Sequence, residues 1–224
     1  SPAVLYVPTG TKAKYESYKG RNLFADIVED ELKEAFVDGL LYSYLTTNKT
    51  AIVSGKSGSQ RKITIPTTVS IDGVSYSVQS IGNSAFRESD IDTLIISPGI
   101  VAIDNYAFNQ CWNLKKIDFP STLKTIGKNA FEYCEALQII TLPLLTSIGE
   151  YAFYRCSNLF ADVSKIQSPF EINKNVFAPD WPSYEDGTAN YPKPSAKLYV
   201  PKDLKDEYQA IEGWNVFEEY DALF

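Results

Sequence analysis

Three cysteines recur at a nearly constant spacing in this chain of 224 residues, which contains no histidine. Cys111, Cys134 and Cys156 stand 23 and 22 residues apart. Without an imidazole, neither a histidine-based catalytic triad nor the commonest zinc ligand is available. Thiol, carboxylate, lysine and tyrosine chemistry remains.

The cysteine spacing predicts stacked thiols rather than a reactive site. Equivalent Cα atoms in adjacent coils lie about 5 Å apart, within reach of a disulfide. Side chains in register point the same way, however, and leave the Cβ atoms about as far apart, where a disulfide needs roughly 3.5–4.5 Å. We therefore expect three buried free thiols that pack as small hydrophobic groups, with a disulfide, a metal site or thiol catalysis as alternatives.

Carboxylate pairs are the second group to consider, because two acids flanking a glycosidic bond can hydrolyse it. The candidates are Glu132 with Glu135, and Asp180 with Glu185 and Asp186. Both sets lie in predicted turns or loops, and their spacing indicates no cleft. We predict solvated surface acids at these positions, no catalytic residue, no metal and no cofactor.

The charge distribution bears on the class of partner. With 21 basic and 28 acidic residues the net charge is −7, and lysines and arginines are scattered among the acids. A nucleic-acid binder carries a basic stripe, and an anionic membrane attracts basic clusters, so neither partner is expected. No apolar run approaches the roughly 18 residues that span a bilayer. Because the sequence begins without methionine, we expect an export signal upstream of it.

The elements that position these side chains repeat along the sequence. Ala-Phe pairs recur 22, 23 and 22 residues apart, and an isoleucine stands five positions before each phenylalanine. The unit reads Ile-Gly-x-x-Ala-Phe-x-x-Cys-x-x-Leu-x-x-Ile-x-Leu-Pro. The phenylalanines are Phe86, Phe108, Phe131 and Phe153, and Val176-Phe177 replaces Ala-Phe in a decayed last unit. Atypical end units are expected in a stack of repeats.

The repeat predicts a coil with two straight segments. Alternating apolar residues, as in Ile117-Asp118-Phe119, favour a short strand with one buried face, and Pro120 ends it because proline cannot donate to a ladder. The Ile-Gly-x-x-Ala-Phe stretch returns the chain as a second short strand or a single helical turn. One unit cannot bury enough apolar surface alone, so the units must stack, with their phenylalanines in one continuous column.

This pattern resembles the BspA-type leucine-rich repeat family. The resemblance is strong over Ile81–Leu159 and weaker over Val37–Val78 and Leu198–Phe217. It implies a mainly β repeat solenoid of the α/β leucine-rich-repeat type. Short parallel strands would stack in about five coils, between a β-hairpin N-terminal cap and a strand-helix C-terminal cap.

The predicted boundaries follow from the flanks. Residues 30–78 are assigned to a linker and the hairpin cap, where Asp72-Gly73 is a strong hairpin turn. Residues 30–36 are expected to be a helical or extended linker, residues 79–178 form the repeats, and residues 179–224 form an aromatic loop and the C-terminal cap. Residues 1–29 are assigned to a cap that ends a preceding tandem domain; alternatively, such an element begins as well as ends a single domain.

The assignment of residues 1–29 comes from a similarity between the two ends of the chain. At an offset of 193 residues, Leu5-Tyr6-Val7-Pro8 matches Leu198-Tyr199-Val200-Pro201. Further identities at the same offset pair Lys12 with Lys205, Tyr15 with Tyr208, Gly20 with Gly213, Asn22 with Asn215 and Phe24 with Phe217. Each copy predicts a strand followed by a short helix, with a proline where the helix begins and a glycine where it ends.

Two surfaces are candidate binding sites. The first is the solvent-facing side of the repeat strands, with outward positions Thr93, Ile95, Lys116, Asp118, Ile139 and Thr141. Two of these are apolar, although single exposed apolar residues are normal. The second is the loop over residues 179–192, where Trp181, Tyr184 and Tyr191 are typical interface anchors. Alternatively, Trp181 closes the open core of the last coil.

The function expected from the resemblance is recognition without catalysis. It implies a secreted or bacterial cell-surface adhesion module, a monomer within a larger chain, whose partner is a protein, such as a host extracellular matrix protein, or a glycan. The alternatives are a structural spacer in a tandem surface protein and an accessory domain of a carbohydrate-active enzyme.

Overall fold

The computed structural model describes residues 3–8, 10–17, 24–157, 159–166, 168–178, 183–185, 188–190, 197–215, 217 and 220–223. Two short α-helices lie in the terminal parts, α1 (Lys12–Glu16) and α2 (Lys205–Ala210), and a 3-10 turn, Lys202–Leu204, precedes α2. The strands are β1 (Ala3–Pro8), β2 (Phe24–Asp30), β3 (Leu32–Val37), β4 (Leu40–Leu45), β5 (Thr50–Lys56), β6 (Lys62–Ile65), β7 (Thr68–Ile71), β8 (Val74–Ile81), β9 (Thr93–Ile96), β10 (Ala102–Ile103), β11 (Lys116–Asp118), β12 (Thr125–Ile126), β13 (Ile139–Thr141), β14 (Ser147–Ile148), β15 (Phe160–Asp162), β16 (Ser183–Glu185), β17 (Thr188–Asn190), β18 (Lys197–Pro201) and β19 (Tyr220–Leu223).

Two sheets flank the repeat core. One has the strand order β19-β18-β15-β13-β11-β9-β6, and its pairings are parallel. The other has the order β14-β12-β10-β8-β5-β4-β3 and is parallel from β14 to β5. The repeat coils give strands of three or four residues to the first sheet (β9, β11, β13 and β15) and the two-residue strands β10, β12 and β14 to the second, which also contains the longer β8. The predicted solenoid of stacked parallel strands is confirmed.

A third ladder joins the coils on the side away from the first sheet. The N–H of each repeat phenylalanine donates to the carbonyl of the residue before the next phenylalanine, as between Phe86 and Ala107 at 2.7 Å and between Phe153 and Val176 at 2.8 Å. Residues two before and two after each phenylalanine have φ between 55° and 60°. Left-handed residues at this spacing cannot form a helix. The predicted second short strand is present as β10, β12 and β14, each of which ends at the repeat isoleucine, and the described coils continue from there in turns and not in the alternative helical turn.

The phenylalanine column is confirmed. The ring centroids lie 5.0, 5.1 and 5.3 Å apart from Phe86 through Phe153, and the planes are within 6° of parallel. Phe177 continues the column at 5.3 Å, despite its decayed repeat. Trp214 and Phe217 then close its C-terminal end, with centroids 6.0 and 5.2 Å from the Phe177 ring. The core is a single cluster along the whole stack.

The glycine of the Ile-Gly pair is explained by the close approach of two main chains. A Cβ on Gly127 would lie 2.5 Å from the backbone nitrogen of Asn105, and one on Gly149 would lie 2.4 Å from that of Lys128. Real Cβ contacts are not this short, so adjacent coils pack at this distance only when a side chain is absent.

The N-terminal cap is an antiparallel meander, β3-β4-β5, that joins the repeats through the parallel pairing of β5 with β8. Strands β7 and β8 form the predicted hairpin, whose turn residues Asp72 and Gly73 have φ of 51° and 77°. This geometry is that of a type I′ turn. Residues 30–36 were predicted to be a helical or extended linker. Most of them belong to β3, so this segment is extended and is paired with β4.

Candidate binding surface

The outward side chains of the first sheet form a continuous surface, called here the strand face. Burial alternates along its strands: Ile117 and Ile140 are buried, while their neighbours Lys116, Asp118 and Ile139 are exposed. Thr141 is exposed as well, and the earlier outward positions Thr93 and Ile95 are half-buried. The six positions predicted from the sequence therefore point outward, although the first pair is less accessible than expected.

A depression of about 730 Å³ lies on the strand face. Four of the predicted residues line it: Lys116, Asp118, Ile139 and Thr141. Thr93 and Ile95 do not. Residues that were not predicted as binding positions complete the lining, namely Lys115, Ile117, Phe119, Ser121, Gln138, Pro143, Leu144 and Lys165.

The lining of the depression is mainly apolar. Ile139 is 63% exposed and Leu144 is 54% exposed, which are large fractions for branched aliphatic side chains. The half-buried Phe119 packs edge-on against Phe131, with ring centroids 5.7 Å apart, so this part of the lining rests on the core column. Leu144 escaped prediction because it lies outside the alternating strand pattern, just after Pro143. Exposed apolar side chains that are adjacent can contribute to binding by losing contact with water.

The charged residues that line the depression are mostly basic, although the chain as a whole is acidic. Lys115, Lys116 and Lys165 line it together with one acid, Asp118. Lys116 Nζ lies 3.3 Å from Asp118 Oδ2, but both side chains are more than half exposed, and such pairs contribute little to stability. The lysines are therefore available to a partner with acidic groups.

Aromatic residues extend the apolar surface toward the C-terminal cap. Phe160 is the register neighbour of Ile139, and its ring lies 6.0 Å from that of Tyr199. Lys197 Nζ lies 6.0 Å from the Phe160 centroid, a cation–π distance. The sequence did not reveal this extension, because these residues belong to the decayed unit and to the cap.

The second predicted surface, the aromatic loop, is described only in part. It contains a two-stranded antiparallel hairpin, β16 with β17, and Tyr184 lies in β16 opposite Ala189. Trp181 and Tyr191 lie outside the described residues. The end of the phenylalanine column is closed by Trp214, whose Nε1 donates to the Phe170 carbonyl at 2.7 Å.

The three cysteines are buried free thiols, as predicted. Each Sγ donates to the carbonyl of the phenylalanine one coil earlier, at 3.0 Å for Cys111, 3.3 Å for Cys134 and 3.2 Å for Cys156. Burial raises the pKa of all three thiols, to about 12 for Cys111. Because the thiolate is the nucleophile, these thiols are inert at neutral pH.

The prediction that Glu132 is a solvated acid is wrong. Its side chain is buried, and Oε2 accepts hydrogen bonds from the amides of Asn109 at 2.6 Å and Asn129 at 2.8 Å. Burial raises the pKa of Glu132, and the two amide hydrogen bonds oppose this shift. The amides satisfy the carboxylate within the turn stack, which indicates a structural role. Glu135, its predicted partner, is exposed.

The described residues offer neither a metal centre nor a membrane-spanning helix. Among them, no cluster of three or more histidine, cysteine, aspartate or glutamate side chains has a geometry suited to a metal ion. No helix in the same part of the chain has the length and apolar character needed to cross a membrane.

Comparison with solved structures supports the architecture. A leucine-rich repeat protein from T. pallidum aligns with a TM-score of 0.60 and 21% identity, over 85% of this chain and 83% of that one. A leucine rich cell surface protein from Faecalibacterium prausnitzii gives 0.57 and 24% identity, over 76% and 46% of the two chains. A leucine-rich repeat protein from Bacteroides capillosus gives a TM-score of 0.51 and 21% identity, over 62% of this chain and 98% of that one. At sequence identities this low, the similarity shows a shared fold and nothing more.

Comparison of sequences identifies the family. No curated protein matches the chain. The family described as BspA type leucine rich repeat region matches six copies over residues 59–180, which is more than half of the chain. The match includes the four Ala-Phe units and extends to Ile63–Ile65 of β6 on the N-terminal side. The chain therefore belongs to the BspA-type leucine-rich repeat family.

Proposed function

We propose that this chain is a non-enzymatic binding module of a secreted or bacterial cell-surface protein, and that the strand face binds a protein or a glycan. The observation that carries the proposal is the depression, whose lining combines two exposed aliphatic side chains, Ile139 and Leu144, with three lysines. The description of one structural relative as a cell surface protein supports the location.

The rigidity of the strand face favours this function. Its strands are hydrogen-bonded to neighbours on both sides from β9 to β18, and their inner side chains are buried in one core. A surface that is formed before binding loses little conformational freedom in the complex, so more of the contact energy appears as affinity. Apolar contact at Ile139 and Leu144 would supply affinity, and the lysines of the lining would select against basic partners.

The aromatic loop is proposed as a second contact surface, with Trp181, Tyr184 and Tyr191 as anchors. Two further functions remain as alternatives. A structural spacer would need no accessible apolar patch, and the exposure of Ile139 and Leu144 argues against that alternative. An accessory domain of a carbohydrate-active enzyme would bind glycans, which the test below includes.

The test is a screen of immobilised extracellular matrix proteins and of a glycan array with the whole chain, followed by variants. The variant Ile139→Thr/Leu144→Ser removes the exposed aliphatic groups and keeps residues that suit a strand and a loop. The matched control is Trp112→Ser, which removes an apolar side chain that is 47% exposed and does not line the depression. We expect at least a tenfold weaker Kd for the strand-face variant and an unchanged Kd for the control.

Equal binding by the two variants would refute the strand face as the site. The double variant Trp181→Ala/Tyr184→Ala tests the loop in the same assay, and unchanged binding to every partner would exclude it. Failure of the unmodified chain to bind any protein or glycan in the screen would favour the spacer function.

A further inference from the structure

The two ends of the chain fold in the same way. Strands β1 and β2 pair in parallel on either side of α1, as β18 and β19 do on either side of α2. The register is identical at the offset of 193 residues. Leu5 pairs with Ile27 as Leu198 pairs with Tyr220, and the next three pairs of residues correspond as well.

The C-terminal copy is covered by the last coil of the repeats. Strand β15 pairs with the edge of β18 that β19 does not occupy, with Ala161 opposite Leu198. Tyr208, on α2, is fully buried, and its hydroxyl lies 2.9 Å from the Ile166 carbonyl and 3.4 Å from that of Val163. This tyrosine therefore donates to the main chain of the coil that the copy closes.

The N-terminal copy has the same parts without the covering coil. Within the described residues, β1 pairs with β2 alone, so the edge that corresponds to the β15-binding edge of β18 carries no strand. Tyr15, the equivalent of Tyr208, is 40% exposed. An unpaired strand edge beside an exposed aromatic ring is a ready acceptor for another strand.

We infer that residues 3–30 are the closing cap of another leucine-rich coil, which belongs to the same polypeptide upstream. A parallel strand of that coil pairs with β1 at residues 4–6, and Tyr15 donates its hydroxyl to main-chain carbonyls of the coil. A second copy of this chain cannot supply a repeat coil to this edge, because its last repeat strand, β15, is already paired with its own cap strand β18. The copies differ where Arg21 corresponds to Trp214, so the capped coil differs there from the one described above.

A cap exchange within the full chain tests the inference. Residues 197–223 are replaced by a second copy of residues 4–30, which has the same length. A scrambled version of residues 4–30 at the same place is the matched control. We expect the exchanged chain to unfold in urea in one transition with a steepness like that of the parent. The scrambled chain should unfold at clearly lower urea or in separate steps, since a repeat stack needs a terminal cap.

Two further comparisons keep the test decisive. The first restores the tryptophan in the exchanged copy, by the Arg21→Trp change in that copy, in case the end of the phenylalanine column requires it. Cooperative unfolding of either exchanged chain supports the inference. If both exchanged chains unfold as the scrambled chain does, the inference is overturned. The second comparison uses Tyr15→Ala and Tyr208→Ala in the unmodified chain. We expect a loss of stability from Tyr208→Ala alone; an equal loss from Tyr15→Ala would show that Tyr15 is already packed and would overturn the inference.

Discussion

The phenylalanine column allows ring stacking to be separated from simple burial. Phe131 lies in the interior of the column and contacts the rings of Phe108, Phe153 and Phe119. Phe86 lies at the N-terminal end, and among the described residues its ring stacks on Phe108 alone. Both side chains are fully buried, at 0% and 1% exposure. The change of each to leucine therefore removes the same apolar group from equally dry surroundings but a different number of ring contacts.

The expected difference follows from those contacts. An aromatic pair contributes about 0.5–1.5 kcal/mol beyond its buried area. Phe131→Leu removes three such pairs and Phe86→Leu removes one, so the interior change should cost about 1–3 kcal/mol more in the free energy of unfolding. The cost of burying less apolar surface is common to both variants and cancels in the comparison.

The assay is equilibrium urea unfolding, followed by circular dichroism and by tryptophan fluorescence. Coincident transitions would justify a two-state analysis, and equal m values would show that the variants expose the same surface on unfolding. For a chain of this size, each kcal/mol corresponds to roughly 2–4 °C in Tm, so a thermal scan provides a second measurement.

Equal losses of stability in the two variants would refute the argument. The phenylalanines would then be retained for their volume at the centre of the coil, and their parallel stacking would have no energetic consequence of its own.

Three further predictions concern other features of the stack. Gly127→Ala should destabilise the chain by about 1–3 kcal/mol in urea unfolding, because its Cβ would collide with the main chain of the adjacent coil. Gly82→Ala should cost less, because the nearest atoms there, the Ile52 Cγ2 methyl at 3.1 Å and the Val53 carbonyl oxygen at 3.3 Å, lie farther from the added Cβ, and the reverse order would contradict the packing argument. Glu132→Gln should gain stability relative to the parent as pH rises from about 4 to about 7. Burial raises the folded-state pKa of Glu132, so the parent loses stability as pH rises from the unfolded-state pKa to the folded-state pKa. Glutamine does not titrate, so the variant has no such loss. A difference in stability between parent and variant that did not change with pH would show that the carboxyl is not desolvated. Finally, Cys134 should react with a thiol reagent only as fast as the chain unfolds, because it is buried with a raised pKa; rapid labelling of the native chain would contradict this burial.

The parts of the molecule that repeat were predictable from the sequence. Regular Ile, Ala-Phe, Cys and Leu positions were sufficient to predict the coil, the column from Phe86 to Phe153, the stacked thiols and the outward direction of Lys116 and Ile139. These predictions succeed because each side chain meets its own equivalent one coil away, so a local pattern also specifies the long-range contact. The glycine of the Ile-Gly pair belongs to the same class, although its reason, contact between main chains, was visible only in the structure.

Features that occur once were not predictable. Glu132 follows the repeat phenylalanine at a position that holds Asn109 in the preceding coil, and only the fold shows that the amide faces the carboxylate. Leu144 lies outside the alternating pattern, yet the turn after Pro143 brings it beside Ile139 to form the depression. Phe160 and Tyr199 are far apart in sequence and meet because the cap strand extends the sheet.

The sequence by itself determined the repeat, its period, the residues that face inward and the similarity between the two ends. The tertiary structure alone decided which outward residues gather into one surface, and which of two similar caps is covered. The physical reason is that burial is periodic along a solenoid and is therefore encoded in each unit. The composition of an exposed surface depends instead on how turns and caps bring together side chains that have no common spacing.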